Sequence, residues 1–466
     1  MPDEPQTLEP TTRKQTGSKP TGAATGADSP APAAPGTAPA ASGAAPAGTG
    51  AAPARWVGRL VVVGLVLAAL NLRPAITSLG ALLEEVSEGL HMSGSVAGVL
   101  TSVPPLCFAV FGIAAPRLAR RFGPAAVVCA GMAAILAGLA LRPFAGGTAT
   151  FLAASALALM GIALSNVLMP VIVKTYFPDR IGSMTGLYSM ALALGTSLAA
   201  AATVPMTEAL GGSWRLGLGV WAVVAALAVL PWLPLVRGRA TAVRAPSGGG
   251  AATASPAQVQ AAPQVQAAPQ APAAPRITRS RTAWTLAVYF GLQATGAYIT
   301  MGWMPQIFRD AGVPASTAGV LLAVTMVMGV PLAFVIPGLA TRMRHQGPIV
   351  VALGLCGLAG YTGLYLAPAG GAWVWALLLG VSNCSFPLAL TLIGMRSRTG
   401  TGVVKLSAFA QSVGYLISIP GPLLVGVLYQ HSGGWGLPVM LMGGLMIPQM
   451  VVGTLAGRDR TVEDEC

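Results

Sequence analysis

Twelve continuous apolar runs, each near twenty residues long, constrain this chain more than any other feature. They fall at about 57–80, 94–115, 124–142, 150–173, 181–204 and 214–236, and again at about 283–305, 316–338, 348–367, 372–394, 403–428 and 435–456. A helix needs about 20 apolar residues to cross a bilayer's hydrocarbon core. The runs do not alternate every second residue, which excludes a closed β-barrel. Only 9% of the 466 residues are charged, against about 25% in a soluble domain, so a water-facing surface cannot be covered and soluble enzyme classes fall away. The expectation is an all-α integral membrane protein with twelve transmembrane helices.

Two stretches stand outside these runs. Residues 1–55 are almost entirely Ala, Pro, Gly, Thr and Ser, and such a segment buries too little to offset its ordering entropy, so a disordered cytoplasmic tail is expected. Residues 237–282 carry Ala-Pro-Gln-Val units between basic ends (Arg237, Arg239, Arg244; Arg276, Arg279, Arg281) and read as a flexible cytoplasmic linker that touches anionic lipid heads. A short tail, 458–466, follows the last run. The first apolar run begins near Trp56, with no small-residue cleavage site after it, which is not the pattern of a signal peptide.

The net charge of +13 does not indicate nucleic acid, because the basic residues are scattered in small groups between apolar runs instead of forming one face. They report topology. With both termini cytoplasmic, 23 of the 27 lie on the inner side, and only Arg73, Arg142, Arg215 and Arg309 do not. Arg outnumbers Lys 23 to 4 in a chain rich in Ala, Gly and Pro, the imprint of a GC-rich, bacterial genome. The cell membrane is the expected location.

The order of residues repeats. Ser95-Val96-Ala97-Gly98-Val99-Leu100 opens the second run and Ser316-Thr317-Ala318-Gly319-Val320-Leu321 the eighth. Ser165-Asn166 with Pro170 recurs as Ser382-Asn383 with Pro387. Gly211-Gly212-Ser213-Trp214 resembles Ser432-Gly433-Gly434-Trp435. Three matches in one order and nearly one offset mark a duplicated half, so residues 56–236 and 283–457 form two parallel six-helix repeats. That is the architecture of major facilitator transporters, which place solute near the midplane between the halves.

Arg73, in Asn71-Leu72-Arg73-Pro74, is the one basic residue that this layout puts well inside a run. A charge there costs at least about 2.5–3.5 kcal/mol and is expected to face a wet cavity or a partner; snorkelling to the interface is the alternative. Asn71, Asn166, Gln293, Asn383, Gln411 and Tyr415 are the polar residues best placed to line the same cavity, with Tyr188 and Tyr298 as further rings. Asn71 and Gln293 are near pseudo-symmetric positions, as are Asn166 and Asn383. Interhelical hydrogen bonding is the bland alternative for the amides. All fourteen acidic residues lie in tails, loops or run ends, and Glu84, Glu85, Glu88, Glu208 and Asp310 fall on the outer side. The five cysteines show no metal or disulfide spacing, and His91, His345 and His431 are in loops. Catalytic residues, metals and cofactors are not expected.

Several of these positions also carry a family resemblance. Asn71-Leu72-Arg73-Pro74-Ala75-Ile76-Thr77-Ser78 resembles the first-span signature of the cyanate permease and 2-nitroimidazole transporter branch of the major facilitator superfamily. So do Gly291-Leu292-Gln293 with Trp303-Met304-Pro305, and Ser407-Ala408-Phe409-Ala410-Gln411-Ser412-Val413-Gly414-Tyr415 leading to Gly421-Pro422. The similarity spans about 57–456, and the long tail before it departs from the branch. It implies a secondary active transporter, acting as a monomer, for a small anionic or polar solute, with Arg73, Gln293 and Gln411 on signature positions. A proton-driven multidrug efflux carrier and a non-transporting membrane sensor or scaffold are the alternatives. The lack of a carboxylate inside the runs weighs against the first, and the simplicity of the linker against the second.

Overall fold

The computed structural model describes residues 55–236 and 277–465; the expected N-terminal tail and most of the linker lie outside the described residues. The described chain is helical; its long helices fall in the twelve expected runs, and a short helix, Leu83–Gly89, lies between the first two. Ten are long and apolar enough to cross a membrane. Span 1 is Arg55–Asn71 with Pro74–Ala81, span 2 Gly94–Phe122, span 3 Pro124–Leu141, span 4 Thr148–Tyr176 and span 5 Ile181–Ala209. Span 8 is Ala315–Val327 with Gly329–Arg342, span 9 Gly347–Leu366, span 10 Ala372–Asn383 with Ser385–Met395, span 11 Gly400–Ser418 with Pro420–Ser432, and span 12 Gly436–Ala456. The other two runs are helical as well. Span 6, Trp214–Val229, is 16 residues long, and span 7, Arg281–Asp310, has 30 residues but a centre diluted by Tyr289, Gln293, Thr295, Tyr298 and Thr300.

Within a half, helices meet through small residues, as expected where lipid supplies no hydrophobic drive and backbones must come close. A methyl on Gly138 of span 3 would lie 2.6 Å from the Ala154 carbonyl oxygen of span 4, and one on Gly291 of span 7 would lie 3.0 Å from the Gly414 carbonyl oxygen of span 11. Large side chains such as Val63, Val110, Leu198, Val223, Leu355 and Val451 stay exposed and form a lipid-facing surface.

The residues after span 12 fold back on the end of the molecule that carries Arg55. Glu465 caps span 7, accepting from the Ser280 hydroxyl at 2.7 Å and the Thr282 N–H at 2.9 Å. Glu463 accepts from the Ser397 hydroxyl at 2.6 Å, and Asp464 pairs with Arg398 at 2.5 Å. This tail therefore ties span 7 to the loop between spans 10 and 11. We call this end proximal, and the opposite end distal.

Apart from the approach of Tyr298 to Arg73 near the centre, the hydrogen bonds and ion pairs found between the halves, among the described residues, lie at the distal end. Arg309 at the end of span 7 reaches Glu84 at 3.0 Å and Glu85 at 2.9 Å. The Ser95 N–H and hydroxyl donate to Gln430 Oε1 at 2.9 and 2.7 Å. Below them spans 2 and 11 touch backbone to backbone. A methyl on Gly98 would lie 2.9 Å from the Leu423 carbonyl oxygen, and one on Gly94 would lie 2.9 Å from that of Gly426. Among the described residues the halves are thus closed distally, with no hydrogen bond or ion pair found between them at the proximal end.

Candidate functional site

Pro74 positions Arg73. It has no N–H for the Leu70 carbonyl, so the helix ends at Asn71 and restarts at Pro74, with Arg73 at the capping position. The Arg73 carbonyl accepts the Ile76 N–H at 2.9 Å and the Thr77 hydroxyl at 3.2 Å, which fixes its backbone. The guanidinium stands 6.0 Å from the ring centre of Phe108 in span 2. It lies near the Tyr298 and Tyr415 phenols of spans 7 and 11. Half-buried, it pairs with no carboxylate among the described residues. A cation–π contact contributes about 0.5–2 kcal/mol, which is less than the ~2.5–3.5 kcal/mol that an arginine costs at this depth. Arg73 therefore retains capacity for an anion.

The rings around it come from both halves. Phe108 stacks on Tyr415 with centres 5.0 Å apart and planes 25° apart, and it lies 6.5 Å from Tyr298. Phe290 meets Tyr415 edge-on at 5.2 Å and Phe386 at 5.5 Å. The close approach of Gly291 to Gly414 brings Phe290 and Tyr415 together. Spans 1 and 2 thus present one cation and one ring to the rings of spans 7 and 11.

The amides expected beside Arg73 divide. Gln293 is buried, donates to the Asn383 backbone oxygen at 3.2 Å and to its side-chain oxygen at 3.1 Å, and accepts from Gln449 at 2.8 Å. The cause is local: Pro387 cannot serve the Asn383 carbonyl, span 10 breaks there, and Gln293 caps the freed oxygen. Its pseudo-symmetric partner Asn71 is one methylene shorter and wholly buried, and neither amide atom finds a partner. Gln411 donates to Ser407 one turn back on its own helix at 2.6 Å. Asn166 is half-buried in an unbroken span 4. The structure brings Arg73 and Tyr415 together, and Gln293 and Asn383 together, in two separate groups.

The distal pair has its own electrostatics. Burial raises the pKa of Glu84 above the ordinary glutamate value; Arg309 pulls it down, but Glu85, Asp310 and Glu88 add to the rise. Asp310 accepts from Tyr429 at 2.9 Å and from Trp435 at 2.7 Å, so it is tied to spans 11 and 12.

Four residues carry no sign of their roles in the sequence. Phe108 and Phe290 sit in apolar runs, where a site aromatic looks like a lipid-facing one. Gln449 is a lone amide in span 12 that acquires meaning only from Gln293. Arg142 is read from sequence as an outer-end basic residue, yet it is fully buried, because the turn Arg142–Phe144 after span 3 sends its side chain beneath Pro74–Ala81.

Comparison with known proteins adds ancestry to this geometry. The family model of the Major Facilitator Superfamily matches residues 61–419. An uncharacterised transporter of Bacillus subtilis (strain 168), YycB, is 34% identical over 410 residues, covering 86% of this chain and 94% of the relative. The 2-nitroimidazole transporter of Escherichia coli (strain K12) is 30% identical over 411 residues, covering 86% and 96%. The cyanate transport protein CynX of the same organism is 29% identical over 388 residues, covering 82% and 94%. Among solved structures, the nucleoside transporter NupG superposes with a TM-score of 0.64 at 12% identity, covering 86% of this chain and 98% of that one.

Proposed function

This chain belongs to the Major Facilitator Superfamily, and from that premise we propose that it is a secondary active transporter moving a small anionic or polar solute across the bacterial cell membrane by alternating access. The observation that carries the reading is Arg73, an unpaired guanidinium facing rings from both halves. It would hold the solute's negative or electron-rich group, while Phe108, Tyr298 and Tyr415 favour a flat solute. The halves rock about this point: the distal contacts part, proximal ones form, and access changes sides. The basic residues put the proximal end, with both termini, in the cytoplasm. The carrier is proposed to act as a monomer. Asn71 and Asn383 lie at helix breaks that bound the site, Gln293 caps the second of these from the unbroken span 7, Asn166 and Gln411 lie on flanking helices, and movement of the helices would bring their amides to the solute.

The test is flux into proteoliposomes of cyanate and 2-nitroimidazole, the solutes for which two relatives are named, alongside other small anions. Arg73→Ala is expected to abolish flux while the protein stays folded by circular dichroism, and Arg73→Lys to restore part of it. Full flux by folded Arg73→Ala would remove Arg73 from the site.

A further inference from the structure

Arg142, in the turn after span 3, is wholly buried. Its Nε donates to the Ser155 hydroxyl of span 4 at 3.0 Å, and the Phe151 ring of the same helix has its centre 5.6 Å from the guanidinium. Its Nη1 reaches across to span 1 and donates to the Ala75 carbonyl at 2.9 Å. No carboxylate among the described residues pairs with it. Arginine keeps its charge where a buried lysine can shed it, so holding it in this interior is costly. A neutral apolar side chain of similar length would pack here without that cost. The fold alone therefore does not account for the arginine.

What Arg142 holds is the segment that carries Arg73. Span 1 restarts after its break as Pro74–Ala81, and Arg73 caps that restart. The Arg73 carbonyl accepts the Ile76 N–H, so Arg73 turns with the first turn of the segment, in which Ala75 lies. All eight residues of Pro74–Ala81 are buried, but apolar burial is non-directional and does not by itself fix their rotation about the break. The Ser78 hydroxyl has no partner, and that of Thr77 is spent on the Arg73 carbonyl. Among the described residues, the Arg142–Ala75 bond is the one hydrogen bond from another span to Pro74–Ala81. The segment also touches the other half. Gly80 meets span 7 so closely that an added methyl would overlap the Met301 carbonyl oxygen.

We propose that Arg142 is the positioning residue for Arg73. Through the Ala75 carbonyl it keeps Pro74–Ala81, and with it the Arg73 guanidinium, fixed to spans 3 and 4 while span 7 moves away. The inference rests on the reading of Arg73 as the solute-binding cation; Arg142 itself does not touch the solute. Its planar fork serves Ser155 and Ala75 at once, so lysine replaces it only in part.

The reporter is residue 73 itself, which requires no knowledge of the solute. Arg73→Cys is placed in the full-length protein with its five native cysteines replaced, in nanodiscs, and its rate of modification by the neutral reagent methyl methanethiosulfonate is measured. Gln411→Cys, likewise half-buried but on span 11, is the control. Arg142→Met is expected to speed modification at position 73 by about tenfold or more, the ratio equivalent to one lost charge-assisted hydrogen bond, and to leave position 411 unchanged. Arg142→Lys is expected to fall between. An unchanged rate at position 73 in Arg142→Met overturns the proposal, and so does an equal change at both positions, which marks general loosening. Should Arg142→Met fail to fold, Ser155→Ala removes one anchor of the guanidinium. A smaller acceleration confined to position 73 then supports the proposal, and none refutes it. With Arg73 in place, Arg142→Met is expected to raise the KM for cyanate flux more than it changes kcat. No cyanate flux in the unaltered protein bears on the proposed function alone, and the thiol rates then decide on Arg142 by themselves.

Discussion

The distal seal rests on helix backbones in contact, and one methyl group is enough to test it. Gly98 of span 2 faces span 11 so closely that an added Cβ would lie 2.9 Å from the Leu423 carbonyl oxygen and 3.0 Å from its Cα. Both obstacles are backbone atoms, so no side-chain rotation relieves the clash and the helices must separate. Overpacking of this kind costs about 1–3 kcal/mol. The cost falls only on the closed arrangement, because parting of the halves removes the contact. Alanine's higher helix propensity, about 1 kcal/mol over glycine, applies to both arrangements and cancels. Gly98→Ala is therefore expected to move the closed-to-open ratio at the distal end by about 5- to 150-fold. Spin labels at Ala149 and Ala369, exposed at the distal ends of the two halves, report it as a longer distance population in a background with the native cysteines replaced. Gly444→Ala, with nothing within 4 Å of the added carbon, is the matched control and leaves the distribution unchanged. An unaltered Ala149–Ala369 distribution in folded Gly98→Ala protein would show that the glycine contact does not hold the distal end shut.

Two further outcomes follow from the same geometry. Glu84 has a raised pKa in the closed arrangement, from burial and from the acids Glu85, Asp310 and Glu88 against the pull of Arg309, and it returns to the ordinary carboxylate value once the halves part and water reaches it. The arrangement with the higher pKa binds the proton more tightly, so closure is favoured as pH falls from above the raised value toward the ordinary one. The same distance measurement over pH checks this, and Glu84→Gln should flatten the response; an unchanged slope in Glu84→Gln assigns the effect elsewhere. Gln293→Leu strips partners from the Asn383 carbonyl and side-chain oxygen and from the Gln449 amide, at about 1–3 kcal/mol for each buried group left unpaired. Thermal unfolding should show a lower Tm, and an equal Tm would mean that water or a shift of span 10 replaces the bonds.

The spans were legible because hydropathy is a local property. Each apolar run became helix. Pro74, Pro387 and Pro420 lie at breaks, where the missing N–H leaves a carbonyl free. Pro170, Pro305 and Pro448, however, stand inside continuous helices, so packing decides which prolines break a span. Span 6 and span 7 fell short of the usual measures for opposite reasons. Span 6 is interrupted after Val229 by Pro231, and span 7 is long but trades apolar side chains for the polar ones that its central place uses. Arg73 could be singled out because a charge in an apolar run is anomalous wherever it stands.

The partners of these residues were not legible, because a contact between helices far apart in sequence leaves no trace in either one. Gln293 reads the same whether it faces a cavity or caps a broken helix, and only the arrival of Asn383 and Gln449 decides. The duplication suggests that both halves behave alike at paired positions, yet Asn71 is too short to do what Gln293 does, and span 4 stays unbroken where span 10 breaks. Arg142 shows the limit most clearly, since a basic residue at a run's end is ordinary until the turn after span 3 folds it beneath span 1. The sequence by itself determined the medium, the places of the helical runs and the one conspicuous charge, which follow from transfer free energies along the chain, and the duplication, which follows from the order of its motifs. The tertiary structure decided which end is closed, which amides are spent on helix ends, which rings meet Arg73, and that a second arginine lies uncompensated in the interior, because each of these depends on which surfaces the packing of helices brings together.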